Sequence, residues 1–249
     1  MSEAILEPDL PIIDPHHHLW DWRSRLPFLP AEMSHPFEAI LRQSPRYLLD
    51  ELLADTGSGH NVVGTVYVQC GAFYRADGPE AMRPVGETEF VNGVAAMAAS
   101  GIYGPTRACA GIVGHADLGL GDAVAEVLDA HIAAGGGRFR GIRHMMAHDD
   151  DTAVLGPLAH AAPNLCSSPQ VHEALKHFAK RQLSLDIWVV DNASRDGSPE
   201  IRAFCTTIRH DLDTLLAAGG ETGKLPALLY DKSSAGALAD AVGARRTGG

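Results

Sequence analysis

Two histidines separated by one residue, His16 and His18, form the strongest chemical signal in the sequence. They follow the short apolar run Pro11–Ile13 and lie just beyond Asp14. Residues i and i+2 of an extended strand point to the same side, so both imidazoles can face one point in space. Neutral imidazole binds zinc, iron or nickel well, and the pattern therefore predicts a metal or catalytic site. The alternative is a histidine-rich surface turn that only contacts solvent.

The charge of the chain excludes two classes of partner. The 249 residues have a formal net charge of −11, and 45% of them are hydrophobic. We do not expect binding to nucleic acid, which needs a basic face, or to an anionic membrane surface. The length and the hydrophobic content fit one large core in a single α/β domain.

Cysteine usage and hydropathy indicate a cytoplasmic protein. Cys70, Cys109, Cys166 and Cys205 form no CxxC pair, so we expect reduced thiols. The chain does not open with the basic and apolar regions of a signal peptide. No apolar stretch reaches the roughly 18 residues that a membrane-spanning helix requires.

Strand and helix patterns alternate along the chain, which predicts parallel βαβ units. Short β-branched runs indicate strands, and apolar residues at helical spacing indicate helices. After the first strand at Pro11–Ile13, the predicted strands are Val62–Cys70, Arg107–Val113, Phe139–Met146 and Leu183–Val190. The predicted helices are Arg46–Asp55, Thr88–Ala99, Asp122–Ala134 and Pro169–Arg181. Long irregular connections are expected at 19–45 and 71–86.

The loop after the first strand distinguishes two parallel architectures. A doubly wound dinucleotide-binding sheet carries Gly-x-Gly-x-x-Gly at this point, and this chain does not. Histidines at the carboxyl end of the first strand instead fit a TIM barrel of the (β/α)8 type, whose active site lies at that face.

Five segments carry a resemblance to a known family: residues 13–21, 67–74, 110–118, 139–144 and 183–189. The first, Ile-Asp-Pro-His-His-His-Leu-Trp-Asp, and the fourth, Phe-Arg-Gly-Ile-Arg-His, are the more specific. Together they resemble the amidohydrolase-related (amidohydrolase 2) proteins, metal-dependent hydrolases of TIM-barrel fold, and within them the lactonase-like branch. The resemblance covers about residues 8–189.

The resemblance implies that His16 and His18 line the active site and bind a divalent metal, with zinc expected. Some lactonases of the family work without a tightly bound metal, in which case the histidines serve as electrophiles. His17 points the other way on an ideal strand. A zinc site needs three protein ligands, and the third is left open among His144, Asp186 and His210.

The resemblance also implies a substrate-binding group at Arg143, whose guanidinium can clamp a carboxylate with two hydrogen bonds. The alternative for Arg143 is a structural ion pair with a barrel acid. Since His144 is its neighbour, only one of the two points inward on a regular strand. Gln69 and Tyr74 are expected either to hydrogen-bond substrate or to pack their loop.

The resemblance ends near Val189, beyond which only 60 residues follow. Three more βα units would need about 100 residues. We therefore expect an incomplete barrel of five to six βα units at 1–190 and a divergent helical, Gly/Ala-rich tail at 191–249. Glu200–Leu216 has helical spacing; a second interpretation makes Cys205–Ile208 a remnant of strand six with His210 at its end. An open barrel has unpaired edges, which makes self-association through them an expectation.

Three functions follow from these patterns. The first is hydrolysis of a small-molecule substrate, a lactone or another small carboxylate-bearing ester or amide, by metal-activated water. The second is a metal-dependent decarboxylase on the same scaffold, since fold alone does not separate hydrolase from lyase. The third is a truncated, inactive fragment, motivated by the missing aspartate after strand eight of the family.

Overall fold

The computed structural model describes residues 5–28, 37–146, 148 and 161–186. In chain order its strands are β1 (Ile12–His17), β2 (Trp20–Asp21), β3 (Arg46–Tyr47), β4 (Val62–Val68), β5 (Arg107–Gly114), β6 (Phe139–Arg143) and β7 (Ser184–Asp186). The helices are α1 (Phe37–Gln43), α2 (Leu49–Thr56), α3 (Val85–Ala99), α4 (Val124–Ala134) and α5 (Pro169–Arg181).

A five-stranded parallel sheet in the order β1-β4-β5-β6-β7 forms the centre of the fold. The strands follow one another in chain order, without the reversal of a doubly wound sheet. This is the order of a TIM barrel, and the predicted α/β class with an incomplete barrel is confirmed for the described residues. The short strands β2 and β3 form a separate antiparallel pair.

The amphipathic helix α5 shows how the sequence specifies the elements that cover the sheet. The Ser168 side chain accepts a hydrogen bond from the Val171 backbone N–H at 3.3 Å, and Pro169 occupies the first turn. Both residues favour a helix start. The buried face of the helix is an apolar stripe that consists of Val171, Ala174, Leu175 and Phe178.

Helix α3 begins three residues earlier than the sequence predicts. It begins at Val85, directly after Pro84, and not at Thr88, because proline is compatible with the start of a helix. The apolar side chain of Met97 is 43% exposed. The buried face consists of Val91, Val94, Ala95 and Ala98.

Several other bounds differ from the sequence prediction. Strand β1 extends through His17 and so carries the first two histidines itself. Strand β6 ends at Arg143 and not at Met146. Arg46 and Tyr47 pair with β2, so α2 begins only at Leu49.

No helix among the described residues has the length and apolar character needed to cross a membrane. The tail at 191–249, with the predicted helix and His210, lies outside the described residues, as do 187–190 of the fifth predicted strand. The domain boundary at 190 therefore stays a prediction.

Candidate functional site

His16 and His18 converge at the carboxyl end of β1. Their Nε2 atoms are 3.2 Å apart, and the rings meet edge to face at 85° with centroids 4.8 Å apart. His17 points to the opposite side, where its Nε2 lies 2.8 Å from Thr65 Oγ1, and it is only 7% exposed. The alternation expected of a strand therefore brings together the pair that the sequence singled out, on a partly buried strand end and not on a solvated turn.

The hydrogen-bond partners assign the tautomers of the two rings. His18 Nδ1 donates to the Val68 carbonyl at 2.7 Å, so its Nε2 carries a lone pair. The Arg143 Nη1 lies 3.4 Å from His16 Nε2, and because a guanidinium only donates, that Nε2 is also an acceptor. Both rings thus have an unprotonated Nε2, and these two atoms lie 3.2 Å apart.

The spacing of these two nitrogens fits two ligands of one metal ion. A tetrahedral zinc with Zn–N bonds of about 2.0–2.1 Å separates adjacent nitrogens by about 3.3 Å. The Val68 carbonyl also supplies the second hydrogen bond that orients a metal-binding histidine. His16 and His18 therefore fit a divalent metal as a ligand pair.

Burial keeps the His18 ring uncharged near neutral pH. Burial, with the positive charge of Arg143 acting in the same direction, lowers the pKa of His18 to about 4. A metal ligand must be a neutral imidazole, so the environment of His18 favours the form that binds.

A third metal ligand is not found in the described part of the chain, where no group of three or more His, Cys, Asp or Glu side chains is placed to hold an ion. His144 Nδ1 accepts the Leu118 N–H at 3.2 Å, which leaves its Nε2 as a donor 4.0 Å from Asp117 Oδ1. Asp186 pairs with Arg143 along β7 and β6, but its side chain is not described. His210 lies outside the described residues.

Arg143 and His144 point in different directions, as neighbours on a strand should. The Arg143 guanidinium contacts His16 and donates from Nη2 to the Gln69 carbonyl. His144 instead packs edge to face on His115, with ring centroids 5.0 Å apart. Arg143 is thus the member of this pair that faces the two histidines.

Gln69 and Tyr74 both lie near this edge of the sheet. Gln69 contributes main-chain groups: its N–H donates to the Val113 carbonyl at 2.8 Å and its carbonyl accepts from Arg143. Tyr74 is 37% exposed and lies nearly parallel to His115, with ring centroids 6.4 Å apart.

His115 belongs to this edge of the sheet and was not predicted as a site residue. Its Nδ1 donates to the Arg143 carbonyl at 3.1 Å, so its Nε2 carries a lone pair. Burial lowers the pKa of His115, and the ring is neutral near pH 7. The signal was present in the sequence, because His115 lies two residues beyond the predicted strand Arg107–Val113.

No protein-family profile matches the chain. The chain is 32% identical over 181 residues to the uncharacterized protein y4mH of Sinorhizobium fredii, an alignment that covers 72% of this chain and 54% of that protein.

Solved structures of amidohydrolases align with about four fifths of the chain. An amidohydrolase of Burkholderia multivorans with bound zinc has a TM-score of 0.49 at 20% identity, and the alignment covers 78% of this chain and 53% of that one. Amidohydrolase 2 of Bifidobacterium longum subsp. infantis has a TM-score of 0.41 at 16% identity, with 80% and 58% covered. The chain thus spans about half the length of the proteins it matches.

Proposed function

We propose that His16, His18 and Arg143 form the site of a hydrolase that acts on a small carboxylate-bearing lactone, ester or amide. The observation that carries the proposal is the position of the Arg143 guanidinium, 3.4 Å from His16 Nε2, which is itself 3.2 Å from His18 Nε2. An anion-binding group and two imidazole lone pairs therefore share one point. That point lies at the carboxyl ends of parallel strands, where barrel enzymes bind their substrates.

Each group has a distinct task in this proposal. The guanidinium of Arg143 binds the substrate carboxylate and so holds the reacting carbonyl beside the histidine pair. A divalent metal bound to Nε2 of His16 and His18 would supply Lewis acidity and a water of lowered pKa. A zinc site needs three protein ligands, and Asp186 and His210 stay the candidates for the third.

Proton transfer falls to a neutral imidazole. His115 has an Nε2 lone pair and a lowered pKa, the properties of a proton acceptor. It takes a proton from water as the water oxygen bonds to the carbonyl carbon. It then returns that proton to the leaving oxygen or nitrogen as the acyl bond breaks.

A substrate panel tests the proposal. Small lactones, esters and amides are offered with a free carboxylate and as the matched methyl esters; acid release from lactones and esters is followed with a pH indicator, and amine release from amides with an amine-reactive dye. We expect turnover of the carboxylate forms by the wild type, loss of that turnover in Arg143→Ala, and retention in His60→Ala, which changes an exposed histidine.

Two results would overturn the proposal. Release of carbon dioxide from aromatic acids, without acid release from lactones, would make the protein a decarboxylase. Equal turnover of the carboxylate forms by the wild type and a folded Arg143→Ala would remove the anion-binding role.

A further inference from the structure

Glu87, on the first turn of α3, is a buried carboxylate with no task in the chemistry above. It is 1% exposed, and its Oε2 has no hydrogen-bond partner among the described residues. Oε1 accepts hydrogen bonds from Tyr67 Oη at 2.9 Å, from the Cys70 N–H at 3.1 Å and from the Ala72 N–H at 2.9 Å. Burying a carboxylate is costly, and these donors offset the cost on one oxygen only.

The peptide group between Gln69 and Cys70 connects Glu87 to Arg143. Its N–H donates to Glu87 Oε1, and its carbonyl accepts from Arg143 Nη2. The positive end of the peptide dipole therefore faces the carboxylate, and the negative end faces the guanidinium. Hydrogen bonds in series through one group polarise and strengthen one another in a low-dielectric interior.

The turn after β4 is shaped so that two N–H groups reach the same carboxylate oxygen. Gly71, between Cys70 and Ala72, has φ +76°, a backbone conformation that glycine adopts without strain. Tyr67, on β4 and fully buried, donates to that oxygen from the strand itself. The carboxylate thus fixes both the end of β4 and the turn that presents the Gln69 carbonyl.

We propose that Glu87 is a positioning residue that holds the Gln69 carbonyl, through the Gln69–Cys70 peptide, where it directs the Arg143 guanidinium toward His16. The inference rests on the proposed function only for the nature of the anion that Arg143 binds. A purely structural role for Glu87 predicts that its charge has no effect on Arg143.

The test observes the Arg143 guanidinium directly in the full chain. The protein is labelled with ¹⁵N-arginine, and the Arg143 Nε–H signal is assigned by its loss in Arg143→Lys. Glu87→Gln keeps the size of the side chain and an oxygen that can accept, but removes the charge. Glu89→Gln changes an exposed acid of the same helix and is the matched control.

We expect the Arg143 signal to shift in Glu87→Gln and to stay in place in Glu89→Gln. Burial raises the pKa of Glu87 to about 7, so the wild-type signal should also titrate near pH 7 and that step should vanish in Glu87→Gln. The groups that face Glu87 do not titrate there, because burial raises the pKa values of Cys70, Tyr67 and Tyr74 well above that range. Packing alone would produce neither effect.

An unchanged Arg143 signal in a folded Glu87→Gln protein would overturn the inference. If that variant does not fold, a measurement on the wild-type protein replaces it. A Glu87 carboxyl ¹³C signal that titrates while the Arg143 signal stays constant would also overturn the inference. Acetate, added as a carboxylate probe, separates the two proposals. If acetate leaves the wild-type Arg143 signal unperturbed, the proposed function fails, and the Glu87→Gln shift still decides the positioning role.

Discussion

His18 and His115 are held at the edge of the sheet by the same kind of hydrogen bond. Each lies one residue beyond its strand, and each donates from Nδ1 to the carbonyl of the last residue of the adjacent strand. His18 uses Val68 of β4 at 2.7 Å, and His115 uses Arg143 of β6 at 3.1 Å. In both rings this fixes the tautomer and leaves Nε2 with a lone pair. A main-chain carbonyl thus prepares both histidines for metal binding or proton transfer.

We expect the His16–His18 pair to bind zinc. After metal removal and dialysis against zinc, mass spectrometry should find about one ion per wild-type chain and none in the His16→Ala/His18→Ala variant, since two ligands are lost. His60→Ala is the control, because His60 is exposed. Circular dichroism verifies that all three proteins are folded.

Either of two results would contradict this prediction. Wild-type protein that is folded and binds no zinc would show that the histidine pair acts without metal. Equal zinc content in the double variant would place the metal elsewhere in the chain.

Substituting Arg143 with lysine should weaken recognition of a carboxylate substrate. Lysine keeps the charge but loses the planar fork that contacts both His16 and the Gln69 carbonyl. Loss of one hydrogen bond to a charged group costs about 1.5–3 kcal/mol, which corresponds to a rise in KM of about 10- to 160-fold.

Steady-state kinetics on a carboxylate substrate and on its methyl ester measure this effect. The KM of the methyl ester should change little, because it has no carboxylate to bind. A similar loss on both substrates would show that Arg143 acts on the fold and not on the anion.

The sequence predicted the elements whose signals are local. The helix at Pro169–Arg181 has a serine cap, a proline in its first turn and a clear apolar stripe, and its bounds are confirmed. The convergence of His16 and His18 follows from strand geometry alone. Local pattern and tertiary structure agree at these places.

The rest of the site depends on contacts between distant parts of the chain. The link from Glu87 to Arg143 runs through one peptide group after β4, and a main-chain carbonyl carries no residue-specific signal. Glu87 appears in the sequence as an ordinary acidic residue near a helix start. His115 had a local signal, but its bond to the Arg143 carbonyl depends on the pairing of β5 with β6.

Replacing His115 with asparagine should abolish proton transfer by this residue while keeping a hydrogen bond to the Arg143 carbonyl. The asparagine amide can replace Nδ1 as donor to the Arg143 carbonyl, but it has no basic nitrogen. General acid–base catalysis typically contributes about 10²–10⁴-fold, so kcat should fall by about that factor with little change in KM. The pH–rate profile decides: an acidic limb of unchanged position and an undiminished kcat would exclude His115 as the proton acceptor.

The buried histidines should make the protein sensitive to acid. Burial lowers the pKa of each of these rings to about 4: His17, His18, His131 and His144. Because the unfolded rings titrate near 6.5, the unfolded chain binds more protons between pH 6.5 and pH 4. The stability that each neutral ring contributes is complete above pH 6.5 and is lost as the pH falls toward 4, by about 3 kcal/mol per ring at most.

Glu87 acts in the opposite direction, because burial raises its pKa to about 7. Its protonated form favours the folded state below about pH 4.5, and this contribution is lost as the pH rises through 7. Four histidines outweigh one carboxyl, so urea unfolding should give a lower free energy at pH 5 than at pH 7. Glu87→Gln removes the opposing group and should make this decrease steeper, whereas Glu89→Gln, at an exposed position, should leave it unchanged. A free energy of unfolding that stays constant between pH 7 and pH 5 would show that these rings are not buried in their neutral form.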